Sequence, residues 1–348
     1  MNEDYLIQAE ALKNFGEAIL QKVGVPQQHA IETADILVDA NLKGIDTHGI
    51  YLCNLYARRL EMNLINPAPE FHFEKKRSGV GVLDADFSLG QPATLQAARL
   101  AVQLAKDAGV GVVTVKNSNH FGATAYYAEF IASHDCIGLV MCDGECDVIP
   151  FGGREKFLGT DPICFCAPST IRPWFCMDMA TSEVAFGKVR AAAEAGQTIP
   201  ANWAVDRKGQ PVTDAQKAYA VVPMSGAKGY ALGLMIEILS SRLTGMPYGA
   251  HIIRKFDDWE NRAFMGHYIQ AIDIEAFCPI EEFKNAMDEL ITDLKSQPTA
   301  AGVKEILIPG EPEWRKKLKR SKEGCPIRKE DADLLIKLGE DLDVPFPI

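Results

Sequence analysis

The chain has 348 residues, 47% of them hydrophobic and 24% charged, with a formal net charge of −11. This length exceeds what one simple core serves and predicts two or three closely packed lobes of an ordinary globular protein. The acidic balance argues against nucleic acid and anionic membrane surfaces as partners, because both demand basic patches.

The opening "MNEDYLIQAEALKNF" is acidic and amphipathic and lacks an apolar secretion-signal core, and no run of 18 apolar residues follows. A cytoplasmic location is therefore expected. Nine cysteines, an odd number scattered through apolar runs, fit reduced buried thiols better than a disulfide framework. Neither Cys142 and Cys146 nor Cys164 and Cys166 have zinc-knuckle spacing, and no metal site is expected.

Leu6, Ala9, Leu12, Phe15, Ile19 and Val23 keep helical spacing until "VGVP" at 23–26 breaks it. A second helix is predicted over 27–43. Asp46 and Thr47 offer N-cap chemistry for a third helix that carries "HGIYLCNLYARRLE". "NPAPEF" at 66–71 leads into a different regime, in which strands and helices alternate from residue 79. There "GVGVLDA", "GVGVVTV" and "CIGLVMC" read as strands, separated by an Ala-rich helix at 91–107 and a helix at 123–134. "RPWFCMDMA" (172–180) reads as a strand running into a helix at about 182–195. Residues 228–243 read as a strongly apolar helix buried on all sides. "HYIQAIDIEAF" (267–277) alternates like a strand, and a charged amphipathic helix follows at 280–296. "EILIPGEPEW" (305–314) reads as a strand ending in a Pro-Gly turn, before a basic helix and a short final one. The class is α/β, a central sheet covered by helices.

The usual nucleotide fingerprint is missing. Gly79 and Gly81 are followed by Asp84 where a third glycine is needed, and Gly109 and Gly111 by Thr114. Three local features nevertheless carry site chemistry. In "TVKNSNHFG", His120 follows a buried strand, at a sheet rim where an imidazole titrating near neutrality could exchange a proton. A plain turn histidine is the alternative. In "GIDTHGIYLCNLY", Thr47 and His48 open a helix whose first amides suit an anion, with Tyr56 two turns on. A simple cap beside a packed histidine explains that stretch slightly better. Asp178 at a strand end, Lys228 at a helix start and the turn at Gly310 could each touch a dinucleotide, and each is weak alone.

Taken together, "THG…Y", "NSNHFG", "IPFGGREKFLGTDPICFCAP", "DMATSEVAFGKV", "IPANWAVDRKGQPVTD", "SGAKGYALGLMIEILS" and "IPGEPE" resemble, in order and spacing, the malate/L-lactate dehydrogenases of the second type. Ureidoglycolate dehydrogenase looks like the nearest branch of that family. The resemblance implies a nicotinamide-dependent oxidoreductase with a non-Rossmann NAD(P)-binding fold, using NAD or NADP with NAD slightly favoured. It also implies a small-molecule substrate and a homodimer or higher homo-oligomer. It places the general acid/base on His120, the substrate-side pair on Thr47 and His48, and a substrate-pocket tyrosine on Tyr56. Cofactor contacts fall on Gly144, on Asp178, Met179 and Ala180, on Lys228, and on Gly310 and Glu311. The implied organisation is a helical substrate lobe (1–75), an NAD(P)-binding α/β domain (76–315) and a C-terminal helical extension packed on the first lobe (316–348).

The departures bear on the substrate. The family pattern usually has an arginine that grips the substrate carboxylate where this substrate-pocket position is Leu52, and Arg59 is the candidate replacement. Asp143, Glu145 and Asp147 flank Gly144, and Asp161 stands where asparagine is usual. Free carboxylates there would repel an anion, which points to a less anionic substrate or one carrying an amine or guanidine. The leading reading is oxidation of a small 2-hydroxy acid of the malate, lactate or ureidoglycolate type. An NAD(P)H-dependent imine or keto reductase and a non-catalytic nucleotide binder are the alternatives.

Overall fold

The computed structural model describes residues 4–348. The chain begins with a short strand, β1 (Tyr5–Ile7), and three helices, α1 (Ala9–Lys22), α2 (Gln27–Lys43) and α3 (Leu52–Glu61). It continues through β2 (His72–Arg77), β3 (Val80–Asp84), α4 (Gly90–Ala108), β4 (Val110–Ser118), α5 (Ala125–Ala132), β5 (Cys136–Cys142), β6 (Ile163–Ala167) and β7 (Phe175–Met179). Then come α6 (Phe186–Glu194), β8 (Ala204–Val205), β9 (Pro211–Val212), β10 (Ala220–Val221), α7 (Ala227–Glu237) and β11 (Met265–Asp273). The chain ends with α8 (Ile280–Ser296), α9 (Glu311–Glu323), β12 (Cys325–Ile327) and α10 (Lys329–Leu342).

The seven-stranded central sheet has the order β2-β3-β4-β11-β5-β6-β7. Only β3 and β4 run parallel; every other neighbouring pair is antiparallel. That topology differs from the all-parallel Rossmann sheet, in keeping with the missing glycine fingerprint. β11 arrives from more than 100 residues downstream and wedges between β4 and β5, so the centre of the sheet forms only when distant parts of the chain meet. The alanines of α4 let it lie close on the sheet. A Cβ at Gly111 would sit 2.0 Å from the Ala101 carbonyl oxygen, so only glycine tolerates that approach.

A second core gathers Leu12, Phe15, Ile19, Leu37 and Leu52 with Cys325, Leu335, Val344 and Phe346. The C-terminal residues thus share a core with α1–α3, and β1 pairs antiparallel with β12. All nine cysteines are free, and eight are buried. Among the described residues, no helix is long and apolar enough to cross a membrane.

Three expectations need correction. Asp46–His48 form a separate 3-10 turn without a side-chain cap, and α3 begins only at Leu52. Thr47 and His48 therefore do not present helix N-terminal amides to an anion. The apolar helix predicted over 228–243 ends at Glu237 and continues as a π-helical turn, Ile238–Arg242. It is not buried all round, since Met235, Ile238 and Leu243 are 38%, 58% and 60% exposed. Residues 305–308 join no strand ladder; a single bond from the Cys176 amide to the Pro309 carbonyl (3.0 Å) ties the turn to β7.

Candidate active site

The ends of β4, β5 and β7 and the starts of β6 and β11 lie at one edge of the sheet. The register fixes this, because Ser118 faces Met265, Cys142 faces His267, and Ile163 faces both Met141 and Met179. Most of the predicted catalytic and cofactor segments converge on that edge.

His120 follows β4 in a rigid turn. The Asn119 amide donates to the carbonyls of Phe87 (3.2 Å) and Ser88 (2.8 Å), and a Cβ at Gly90 would lie 2.6 Å from the His120 carbonyl oxygen. The sequence "NSNH" thus locks the backbone before the histidine, and the first turn of α4 packs directly against it. The ring Nδ1 lies 2.7 Å from the hydroxyl of Tyr56, which α3 delivers from the other lobe. Tyr56 is buried, and its oxygen also accepts from the Gln91 amide at 2.9 Å. His48 stacks on His120 with centroids 5.4 Å apart and an interplanar angle of 27°. Thr47 is exposed, and its hydroxyl lies 3.1 Å from His48 Nδ1.

The imidazoles here are held neutral. Burial lowers His120 well below its ordinary value, and the Lys255 ammonium lowers it further. His48 is pushed down to about 4 by burial and then by Lys255, and burial pushes the adjacent His267 down to about 3. A neutral imidazole has one donor nitrogen and one acceptor nitrogen. When Gln91 donates to Tyr56, the hydroxyl is free to donate to Nδ1 and the histidine proton sits on Nε2. With the Gln91 amide turned round, its oxygen accepts from Tyr56, Nδ1–H donates to the tyrosine, and Nε2 is left bare. The Gln91–Tyr56–His120 chain can therefore hold either the acid or the base form of the same ring.

A small cavity lies over His120, lined by Tyr56, Arg59, Asn119, Lys255 and Met265 among others. Leu52, expected in the substrate pocket, does not line it. It is 1% exposed and packed in the core shared with the C-terminal helix, because its position on α3 turns inward. Arg59 lines the cavity, but its terminal nitrogens donate to the carbonyls of Lys255 (3.1 Å), Asp258 (2.7 Å) and Asn261 (3.0 Å). It holds a loop and is not free to replace the missing arginine. The three flanking carboxylates are also engaged. Asp143 accepts from Ser241 (2.6 Å), Glu145 pairs with Lys255 (2.9 Å), and Asp147 pairs with Lys156 (2.8 Å) and Arg254 (3.2 Å). The anion-repelling pocket expected from their sequence positions does not form.

Of the proposed cofactor residues, Gly144 and Asp178–Ala180 lie along the same edge, whereas Gly310 and Glu311 lie beside β7 at Cys176, towards its other end. The Gly144 amide donates to Asp161 (3.0 Å), and a Cβ at Gly159 would meet Gly144 at 2.6 Å, so two chains pass there with glycine on each. Asp178 is exposed at the end of β7 and accepts from the Ala125 amide at the start of α5 (2.9 Å), while Met179 and Ala180 are half-buried beside it. Gly310, at φ +89°, would place a Cβ 2.9 Å from that of Cys176. Glu311 is buried and bound by Lys295 (2.7 Å) and Arg315 (2.6 Å). Lys228 is exposed in the first turn of α7, and its neighbour Gly229 would place a Cβ 2.8 Å from the Thr181 carbonyl oxygen. Sequence reasoning missed Gln91, Lys255 and His267, which lie in different segments and meet only through the fold.

The family model for malate/L-lactate dehydrogenase matches residues 7–335. L-sulfolactate dehydrogenase of Methanocaldococcus jannaschii is 42% identical over 313 residues, covering 89% of this chain and 90% of the relative. The NAD(+) ureidoglycolate dehydrogenase of Escherichia coli is 34% identical, covering 92% of each chain. The solved sulfolactate dehydrogenase of M. jannaschii superposes with a TM-score of 0.93 at 39% identity, covering 98% of each chain. On its sequence and its fold alike, the chain belongs to the malate/L-lactate dehydrogenase family.

Proposed function

We propose that this protein is an oxidoreductase that moves hydride between C2 of a small 2-hydroxy acid and NAD or NADP, with NAD favoured. The observation that carries the reading is the Tyr56–His120 contact at 2.7 Å, placed over a cavity at the sheet edge where the glycine-rich rim lies. Gly144 and Gly159 let two segments cross closely under that rim, and Asp178 and Lys228 stand exposed beside it as polar contacts for a dinucleotide. The nicotinamide, when bound, supplies the hydride acceptor for oxidation and the donor for reduction.

In oxidation, neutral His120 takes the substrate hydroxyl proton on Nε2 while Tyr56 accepts from Nδ1–H and so steadies the imidazolium that forms. In reduction the protonated ring holds the carbonyl oxygen and returns the proton. His48, stacked on His120 and itself neutral, backs the ring without adding a second positive charge. The exposed Met235, Ile238 and Leu243 support a homodimer or higher homo-oligomer with α7 and its π turn at the contact, and light scattering of the purified protein tests this.

A substrate-by-cofactor matrix tests the function. Absorbance at the reduced-nicotinamide band should show turnover of at least one 2-hydroxy acid of the malate, lactate, sulfolactate or ureidoglycolate type. Activity confined to cyclic imino acids would move the assignment to an imine reductase. Cofactor binding with no turnover of any compound would leave a nucleotide-binding protein without catalysis.

A further inference from the structure

We propose that Lys255 is the anion clamp of this site, its ammonium binding the carboxylate of the 2-hydroxy acid beside His120. The inference rests on the function proposed above and specifies how the substrate is held. Two permanent cations line the His120 cavity, Arg59 and Lys255. Arg59 spends its terminal nitrogens on three backbone carbonyls, one of them that of Lys255. Lys255 spends one of its three ammonium donors on Glu145 at 2.9 Å and keeps two for a ligand.

The lysine is held in place as a clamp must be. Its amide donates to the same Glu145 carboxylate oxygen at 2.7 Å, and its carbonyl accepts from Arg59 at 3.1 Å, so both backbone polar groups are fixed. Arg59 lies one helical turn beyond Tyr56, so α3 places the acid–base partner and the clamp's support together. The side chain is 18% exposed and that of Glu145 10%, which strengthens their pairing and any contact to a bound anion. With Arg59 and Lys255 positive and Glu145 negative, the pocket keeps one net positive charge.

Lys255 also acts on the imidazoles. The groups facing His120 are Tyr56 on α3 (itself bonded to Gln91 on α4), His48 on the 3-10 turn, His267 on β11 and Lys255 on the loop. Arg59 and Glu145 also bear charge on this pocket, but Lys255 is the charge that lowers the proton affinity of both His120 and His48. An anion seated on the ammonium screens that charge and raises the proton affinity of His120. Substrate binding thereby readies the ring to take the hydroxyl proton.

The test compares Lys255→Met, Lys255→Arg and Glu145→Gln with the wild type, using oxalate as the anion probe in the presence of NADH. Calorimetric oxalate affinity and the KM of the best 2-hydroxy acid should weaken about 10- to 100-fold in K255M, the size of a lost charge-assisted hydrogen bond. NADH affinity should stay unchanged, kcat should fall less than KM rises, and K255R should restore most of the affinity. The acid limb of kcat/KM for oxidation should move to higher pH in K255M, an effect no packing defect would produce. Should K255M not fold, E145Q keeps the backbone bond, removes the competing charge and should tighten oxalate about threefold or more. Unchanged oxalate affinity in K255M, or in E145Q where that stands in, overturns the clamp. Wild-type turnover with K255M unaffected sinks the clamp alone, whereas Lys255-dependent oxalate binding without any turnover sinks the proposed function alone.

Discussion

The ends of β4 and β5 each bury several ionisable groups, and the two clusters differ in chemistry and in access. Around β4 lie the bases His48, His120 and His267, with Tyr56 between His120 and Gln91. Around β5 lie the acids Asp143, Asp161 and Glu237, and among the described residues no ion pair joins any of them to a lysine or arginine. Burial pushes both sets towards their neutral forms. It pushes the imidazoles down, pushes Asp143 up to about 8, and raises Asp161 well above the carboxylate range. His120, however, lines a small cavity with cations in its wall, whereas His267 is fully buried. The acids are sealed, with Ser241 bridging Asp143 (2.6 Å) and Glu237 (3.2 Å) and the Gly144 amide bound to Asp161. The same desolvation acts on a ring that lines a cavity and on carboxyls that fix loops behind it.

The largest effect that separates the two clusters is on catalysis. His120→Ala should lower kcat about 10²- to 10⁴-fold, the usual worth of a positioned acid–base group, with NAD(H) affinity nearly intact. Steady-state rates together with cofactor titration check this, and a variant retaining most of its kcat would remove His120 from the chemistry. Tyr56→Phe should cost less, about tenfold in kcat/KM, because the ring survives but loses the hydroxyl that fixes its Nδ1. It should also lower stability by about 1–3 kcal/mol, since the buried Gln91 amide loses its partner. A Y56F enzyme with wild-type rates and stability would mean that the Gln91–Tyr56–His120 chain is ornamental.

Much of this was legible in the sequence because it is local. The Ala-rich α4, the strand before His120 and the amphipathic α8 each announce themselves by periodicity, and "NSNH" carries both the locking asparagine and the histidine. The missing glycine fingerprint correctly signalled a different sheet, but not its order, because the wedging of β11 between β4 and β5 is a long-range event without a local mark. The family pattern puts Leu52 at a pocket position, but a pattern gives a place along α3 and not which way a leucine turns once both lobes pack. Asp143, Glu145 and Asp147 looked like a repulsive patch for a related reason: their partners Ser241, Lys255 and Lys156 stand 9 to 110 residues away. Lys255, in "HIIRKFDDW", belongs to no helix or strand and has no periodicity to give it away.

The weaker effects are on stability, and there the two clusters should pull in opposite directions. His48 and His267 hold off protons to about pH 4 and 3 when folded, whereas unfolded imidazoles take them up near 6.5. Their contribution is full above 6.5 and is lost as pH falls from there. Asp143 stays protonated to about pH 8 when folded but ionises near 3.8 when unfolded, so its contribution is full below 3.8 and fades as pH rises towards 8. Denaturant midpoints should therefore fall on both sides of an intermediate optimum, and a midpoint flat from pH 4 to 9 would contradict the burial of both clusters.

Asp161→Asn isolates the acid limb. The residue sits at φ +34°, a region asparagine enters more readily than most residues. Its Oδ1 accepts from Gly144, and its Oδ2 is buried without a partner. Asparagine keeps the accepting oxygen and replaces an atom that must be protonated with an amide that carries its own hydrogens towards Asp143 and Glu237. The variant should match the wild type near pH 4 and gain stability steadily above it, reaching about 1–3 kcal/mol by pH 8. Thermal melts across that range read the trend directly. A gain of equal size at every pH would mean that packing, not ionisation, sets the cost of Asp161. A loss at pH 8 would mean that its carboxylate is ionised in the fold and held by Gly144.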